Sequence, residues 1–252
     1  MKSFLRILAA LLVVAVVTID TSQAVLIDLG TAANFAALGG SGVTNAESGT
    51  LITGDVGSWP TEAVSGITAG MVTGNLYLAG DNPAVTAQAH ADASAAYTAA
   101  FNATGGVAGP GDLGGATLTP GVYTFATTAP WTAGALTLDA QGDPDAQWIF
   151  QIGTGLTTPA NTAVLLIGGA SANNVFWQIG TSLTLGANNT FAGNILADQS
   201  ITLGGGTLEG RALAINALVS IPTATIINAP VPEPATICLL GFGVLSLVRR
   251  KK

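Results

Sequence analysis

A short pattern, one hydroxyl residue between two apolar residues, recurs along the second half of the chain. Leu183-Thr184-Leu185 is followed by Ile201-Thr202-Leu203 and, after the same interval again, by Val219-Ser220-Ile221. The pattern is also present in Leu136-Thr137-Leu138 and, after a slightly longer interval, begins again in Leu156-Thr157. A repeat of about 18 residues is typical of one coil of a β-solenoid, in which three short strands are joined by corners.

Alternation along each strand predicts where the hydroxyl groups lie. Successive side chains of a strand point to opposite faces, so apolar neighbours that point into the solenoid leave the central hydroxyls outside. The two longer intervals, from Thr137 to Thr157 and from Trp148–Ile152 to Val175–Ile179, are interpreted as coils with longer corners. Stacked coils then predict one outward ladder with rungs about 4.8 Å apart. Its residues are Thr137, Thr157, Thr184, Thr202 and Ser220.

One Ala-rich segment, at about residues 82–102, has a helical rather than a strand-like composition. Asp81-Asn82-Pro83 offers a cap and a first-turn proline, and Gly105-Gly106 follows the segment. A helix of this length is about 30 Å long. The strands at Trp148–Ile152 and Val175–Ile179 are apolar on both sides, which predicts that this helix covers them. The sequence therefore predicts a mainly β domain over residues 25–228 with one helix alongside.

The two ends of the chain differ from this domain. Residues 1–24 contain Lys2 and Arg6, an apolar run from Ile7 to Val17 and Ser22-Gln23-Ala24, a small-x-small cleavage site. This order is typical of a secretory signal peptide. Residues 229–252 form a separate tail in which an apolar stretch, Ala235–Val248, precedes the basic end Arg249–Lys252.

The tail resembles the PEP-CTERM sorting signal of Gram-negative bacteria. The motif residues are Val231, Pro232, Glu233 and Pro234, followed by the apolar stretch and the basic end in the expected order. The resemblance implies export, transient anchoring in the inner membrane through this segment, processing by an exosortase-type enzyme, and a final location at the cell surface or in the extracellular matrix. Cys238, the single cysteine, is interpreted as a small apolar residue of the membrane stretch.

Composition and charge exclude several functions. The chain is 49% hydrophobic and 8% charged, which excludes a disordered chain. Between residues 25 and 234, Arg211 is the only basic residue against thirteen acidic ones, so this part carries a charge of about −12. Nucleic-acid binding, which needs several Lys or Arg against phosphates, is therefore excluded.

Candidate catalytic and metal-binding groups are few. His90 is the only histidine, and we interpret it as a structural residue. Asp139, Asp143 and Asp145 are interpreted as a solvated corner loop because Gly142 and Pro144 separate them. No enzyme activity, metal or cofactor is predicted; a polysaccharide lyase is the unfavoured alternative, because such chemistry usually needs a basic residue.

Several longer motifs resemble those of a microbial ice-binding protein family over about residues 25–228. They are Leu29–Leu38, Ile52–Gly57, Leu118–Tyr123, Trp148–Ile152, Asn174–Gln178 and Gly193–Leu196. The resemblance implies a right-handed, discontinuous, three-faced parallel β-helix with one long α-helix packed alongside, and an ice crystal surface as the partner. The predicted outward ladder would be the ice-binding face. The alternative is a non-catalytic structural or adhesive protein of the exopolysaccharide matrix that uses the same face.

Overall fold

A computed structural model describes residues 27–229; the predicted signal peptide and the sorting motif lie outside the described residues. The first part of the described chain forms five strands and a helix. These are β1 (Phe35–Gly39), β2 (Gly42–Asn45), β3 (Leu51–Thr53), β4 (Asp55–Ser58), β5 (Val64–Ser65) and α1 (Pro83–Phe101). Short 3-10 turns span Gly30–Asn34 and Ala69–Met71, and a third spans Ala172–Asn174.

The chain after the helix forms the repetitive strands. These are β6 (Val107–Ala108), β7 (Thr117–Leu118), β8 (Gly121–Phe125), β9 (Ala135–Asp139), β10 (Trp148–Ile152), β11 (Leu156–Thr157), β12 (Ala163–Ile167), β13 (Val175–Ile179), β14 (Leu183–Leu185), β15 (Asn189–Ala197), β16 (Ile201–Leu203), β17 (Gly206–Ala214), β18 (Leu218–Ile221) and β19 (Thr225–Asn228). Every strand pair between residues 27 and 229 is parallel, as stacked coils require.

The strands form three faces of a solenoid. The helix face contains β6, β8, β10, β13, the ends of β15 and β17, β1 and β4; the ladder face contains β11, β14, β16, β18, β2 and β5. The third face contains β7, β9, β12, the beginnings of β15 and β17, β19 and β3. Gly193 and Gly210, at positive φ, lie where β15 and β17 pass from the third face to the helix face. A Cβ at Gly193 would lie 2.7 Å from Nε1 of Trp177, so this corner requires glycine.

The order of the coils in space differs from their order in the chain. Strand β1 pairs with β17 on one side and with β4 on the other, so the N-terminal coils extend the stack beyond the last coil of the repeat. The 19-residue helix, about 28 Å long, then returns the chain along the helix face to the opposite end, where β6 begins. The fold predicted from the sequence, a discontinuous three-faced solenoid with a helix alongside, is confirmed.

Aromatic rings stack in register inside the solenoid. Tyr123, Phe150 and Trp177 are paired positions on β8, β10 and β13, and the Phe150 and Trp177 ring centroids lie 4.0 Å apart. Phe191 lies 4.9 Å from Trp177 between ring centroids, and Nε1 of Trp177 donates to the Ala192 carbonyl at 2.9 Å. The in-register repeat of large rings therefore fills the interior of the solenoid, and the buried indole N–H of Trp177 has a hydrogen-bond partner.

The helix lies on the solenoid through small residues. Thr86, Ala89, Ala93, Ala96 and Ala100 are its buried positions, and the strands it contacts include β10, β13, β15 and β4. The cover predicted for Trp148–Ile152 and Val175–Ile179 is thus confirmed. Among residues 27–229, no helix is both long and apolar enough to cross a membrane.

A solenoid side chain satisfies the C-terminal end of the helix in a way that the sequence did not indicate. The predicted side-chain cap is wrong: Asn82 is at φ 45° without a capping hydrogen bond, and Asp81 Oδ2 accepts instead from the Leu78 amide. At the other end, Gln151 Nε2 donates to the carbonyls of Ala100, Phe101 and Ala103 at 2.8–3.0 Å. Carbonyls that a helix end leaves unpaired are therefore satisfied by a strand side chain.

The close approach of the helix gives the first testable prediction. Ala93 is 1% exposed, so Ala93→Leu overpacks the contact with the solenoid and is expected to lower the free energy of unfolding by about 1–3 kcal/mol. Ala95, on the other side of the helix, is exposed, and Ala95→Leu is expected to change stability by no more than about 0.5 kcal/mol. Urea unfolding followed by circular dichroism compares the two variants. Equal losses of stability in the two variants would show that the helix does not pack on the solenoid through its buried alanines.

Candidate functional site

Six hydroxyl side chains stand in one register on the ladder face. Consecutive strands pair Thr157 with Thr184, Thr184 with Thr202, and Thr202 with Ser220. The same column continues through two residues that the sequence pattern had not indicated, Thr44 on β2 and Ser65 on β5. At the usual spacing of parallel strands, the six rungs extend over about 24 Å. We call these six residues the hydroxyl ladder.

One residue of the predicted ladder is misplaced. Thr137 lies on β9, on the third face, where its paired neighbours are Thr117 and Leu165. The interval from Thr137 to Thr157 leads from the third face of one coil to the ladder face of the next, so it is not a coil repeat. The error arises because strands on all three faces share the same two-residue alternation. The interval from β10 to β13, in contrast, is a coil with a longer corner, as predicted.

The hydroxyl ladder points outward from a rigid base. The apolar residues that flank its rungs on β14 and β16 are Leu183, Leu185, Ile201 and Leu203, all of them buried. Thr157, Thr184 and Ser65 are exposed, and the other three rungs are half-buried. None of the six hydroxyls makes a hydrogen bond to another residue between 27 and 229. The column therefore presents six hydroxyls to solvent or to a ligand.

The strands that carry the ladder are uncharged. None of the six strands of this face carries a charged residue. A neighbouring row contains the small residues Ser182 and Ser200, whose hydroxyls are 2.9 Å apart, and the larger Leu218 beside Gly42. The principal strand contacts of the helix are with β10, β13, β15 and β4, and none of the six ladder strands is among them.

The third face is less regular. Large aliphatic side chains protrude from it, with Leu51 55% exposed and Leu165 46% exposed. Glu209, also exposed, adds a charge. The hydroxyls of Thr53 and Thr73, near the edge of this face, donate to Asn228 Oδ1 and to the Ile52 carbonyl. This face is therefore uneven, and its adjacent hydroxyls without partners among the described residues form two separate pairs, Thr117 with Thr137 and Thr190 with Thr207, rather than one column.

The remaining polar candidates have structural partners. His90 Nε2 lies 2.7 Å from the Ile215 carbonyl and fixes the helix to the corner after β17. Asp139 Oδ1 accepts from the Gln141 amide and Asp143 Oδ1 from the Asp145 amide, as expected for a loop. Across residues 27–229, no three His, Cys, Asp or Glu residues come together in an arrangement that could hold a metal ion.

These observations define a class of protein: a three-faced parallel solenoid that carries, on one uncharged face, a column of hydroxyls without partners among the described residues. The sequence matches the model of the Ice-binding-like family over residues 37–227, nearly the whole of the described structure, and the chain belongs to this family. Residues 230–252 match the PEP-CTERM protein-sorting motif.

Relatives and solved structures agree with this assignment. The chain is 43% identical over 234 residues to an ice-binding protein of Nostoc sp. (strain HG1), with 87% of this chain and 84% of the relative covered. A crystal structure of an ice-binding protein from an Antarctic biological consortium shares 40% identity at a TM-score of 0.72, covering 79% of this chain and 90% of that chain. An ice-binding protein from an Arctic yeast, described for its antifreeze activity, shares 33% identity at a TM-score of 0.74, with 84% and 98% covered.

Proposed function

We propose that this protein binds ice through the ladder face and that the six residues of the hydroxyl ladder are the centre of the contact. The single observation that carries the proposal is the register of the ladder: six in-line hydroxyls without protein partners among the described residues, on an uncharged face. Family membership and the names of the relatives favour ice over other repetitive targets.

The chemistry of the face suits an ordered, uncharged solid. Threonine presents a hydroxyl and a methyl group on a β-branched stem with few rotamers, so binding costs little side-chain entropy. The rungs are fixed to the backbone of a packed solenoid, so their spacing is set before contact. An ordered lattice of water gains many weak contacts at once from such an array, while a mobile solute gains few.

The activity is tested by thermal hysteresis and by inhibition of ice recrystallisation with the purified protein. We expect a measurable gap between the melting and freezing temperatures and small ice grains after annealing. A parallel screen against soluble polysaccharides addresses the alternative of a matrix adhesin. A protein without effect on ice that binds a polysaccharide through the ladder face would contradict the proposal and favour that alternative.

We infer further that the protein acts without catalysis. The described residues that most resemble catalytic groups, His90 and the Asp139–Asp145 loop, are engaged in the hydrogen bonds of the fold. Ice binding itself requires neither a nucleophile nor a cofactor. Assays with polysaccharide substrates are expected to show no release of reducing ends; a turnover that saturates with substrate would contradict this inference.

Export and sorting of the protein give a further prediction. The sorting match at residues 230–252 supports removal of the tail after docking of the apolar segment in the inner membrane, and delivery to the cell surface or to the exopolysaccharide matrix. We expect the mature protein to begin near Val25 and to lack Arg249–Lys252. Mass spectrometry of the protein isolated from the surface of a Gram-negative producing cell measures both ends. A soluble extracellular form that retains the basic end would contradict the prediction.

A further inference from the structure

A cleft of about 470 Å³ lies at the corner between the third face and the helix face, beside the first turn of α1. It is formed where three neighbouring coils turn the same corner, and it contains no residue of the ladder-face strands. Val85 of the helix and Ala229 at the end of β19 complete its apolar walls. The polar side chains that line it include Asn34, Asp55, Asn75 and Tyr77.

An aromatic ring is held in place on one side of the cleft. Tyr77 stacks against the buried Phe35 with ring centroids 5.6 Å apart and an angle of 26° between the planes. Its hydroxyl makes no hydrogen bond to another residue in the range 27–229. Burial, and then the charge of Asp55, raise the pKa of Tyr77, so its phenol remains protonated and able to donate at neutral pH. The cleft therefore contains a fixed ring with an available hydroxyl.

A carboxylate faces the same space. Asp55 Oδ1 accepts from the backbone amide of Asn75 at 2.7 Å and from its side-chain Nδ2 at 3.1 Å, and these bonds fix the orientation of the carboxylate. Oδ2 has no partner among the described residues. Gly74 permits this approach, because a Cβ there would lie 2.6 Å from Asp55 Oδ1. An oriented carboxylate oxygen is thus available to accept hydrogen bonds.

An amide completes the set of polar groups. Asn34 is exposed, and its side chain is without a hydrogen bond within the described part of the chain. Asn34, Asp55 and Tyr77 together present one amide, one carboxylate oxygen and one phenol, a mixture of donors and acceptors. Around them are apolar surfaces from Val85, Ala229 and the ring of Tyr77. Few polar groups that converge in an otherwise apolar concavity are the usual composition of a small-ligand site.

We propose that this cleft binds a neutral pyranose unit of a saccharide, with Asp55 Oδ2 accepting from sugar hydroxyls, Asn34 and the Tyr77 hydroxyl bonding to others, and the apolar walls contacting the ring carbons. A pyranose has polar hydroxyls on its rim and apolar C–H faces, which matches this combination. The carboxylate disfavours acidic sugars, since none of the described residues that line the cleft is basic and could compensate a second negative charge. Ice binding through the ladder face is independent of this site.

Saturation-transfer NMR with the purified protein tests the site, with millimolar glucose, galactose, mannose and N-acetylglucosamine as neutral probes and glucuronate as the acidic one. We expect transfer to at least one neutral sugar and none to glucuronate. Tyr77→Phe removes only a hydroxyl without a partner among the described residues and is expected to weaken binding about fivefold at unchanged melting temperature. Asp55→Asn removes the charge of the acceptor and is expected to weaken binding about tenfold.

Tyr123→Phe is the matched control. Tyr123 also stacks on a buried ring, Phe150, but lies outside the cleft, and its hydroxyl donates to the Thr119 carbonyl at 2.7 Å. This variant is expected to keep full sugar binding, and all three variants are expected to keep full thermal hysteresis. Absence of transfer to every neutral sugar would overturn the proposal. Equal binding by wild type, Tyr77→Phe and Asp55→Asn, or equal transfer to glucuronate, would also overturn it.

Discussion

Thr184→Tyr and Thr202→Tyr are each expected to abolish most of the thermal hysteresis while leaving the melting temperature of the protein nearly unchanged. The two rungs are adjacent in the middle of the ladder, and a tyrosine ring at either position stands above its neighbours. A flat lattice that rests on the ring then loses contact with the adjacent rungs. Thr184 is exposed and Thr202 is half-buried with an outward hydroxyl, and surface substitutions of this kind usually change stability by only about 0.5 kcal/mol. An unchanged melting temperature would show that the loss of activity does not come from unfolding.

A threonine in the same coil provides the matched control. Thr190 on β15 is exposed and follows Thr184 closely in the chain, but it lies on the third face. Thr190→Tyr therefore introduces the same ring into the same coil without touching the ladder, and it is expected to retain full thermal hysteresis. Full activity in both ladder variants, or loss in the Thr190 variant alone, would assign ice contact to another face.

Arg211→Met is expected to cause the largest loss of stability, about 3 kcal/mol in the free energy of unfolding. Arg211 is 1% exposed, and burial lowers its pKa to about 10, so it remains charged at neutral pH. Its guanidinium donates to the Ala33 carbonyl at 2.8 Å, to Asn194 Oδ1 at 2.8 Å and to Asn173 Oδ1 at 3.2 Å. Methionine fills a similar volume but leaves these acceptors without this donor.

The location of this network explains the size of the expected effect. Ala33 precedes β1, whereas Asn194 and Arg211 belong to β15 and β17, so the guanidinium joins the N-terminal coils to the repeat. Glu209→Gln, on the same strand but exposed, is the control and is expected to change stability by no more than about 0.5 kcal/mol. Urea unfolding at neutral pH measures the free energy of unfolding of both variants. A loss equal to that of the control would show that the network adds nothing to stability.

The repeat was predictable from the sequence because it is local. The equal intervals between Thr184, Thr202 and Ser220 are coil lengths, and each coil pairs with the next one along the chain. The Ala-rich helix was also predictable, since composition alone distinguishes it from the strands. Cover on β10 and β13 followed from their apolar residues on both sides.

The end of the ladder formed by Thr44 and Ser65 was not predictable in this way. Ser220 pairs with Thr44, which lies far earlier in the chain, so no search for a short repeat relates the two residues. The Thr137 error has a related cause, because a hydroxyl between two apolar residues identifies a strand but not its face. The cleft residues come from separate corners that the N-terminal coils bring together, and Gln151 and Arg211 acquire their roles only through contacts between coils.

Adsorption to a growing ice crystal shows directly whether the protein binds ice through the ladder face. Fluorescently labelled wild-type protein, placed in solution around a slowly growing ice surface, is expected to be incorporated into the ice and to leave it fluorescent. The labelled double variant with Thr184→Tyr and Thr202→Tyr is expected to be excluded from the ice, as ordinary solutes are. Exclusion of the folded wild-type protein from the ice would contradict the account.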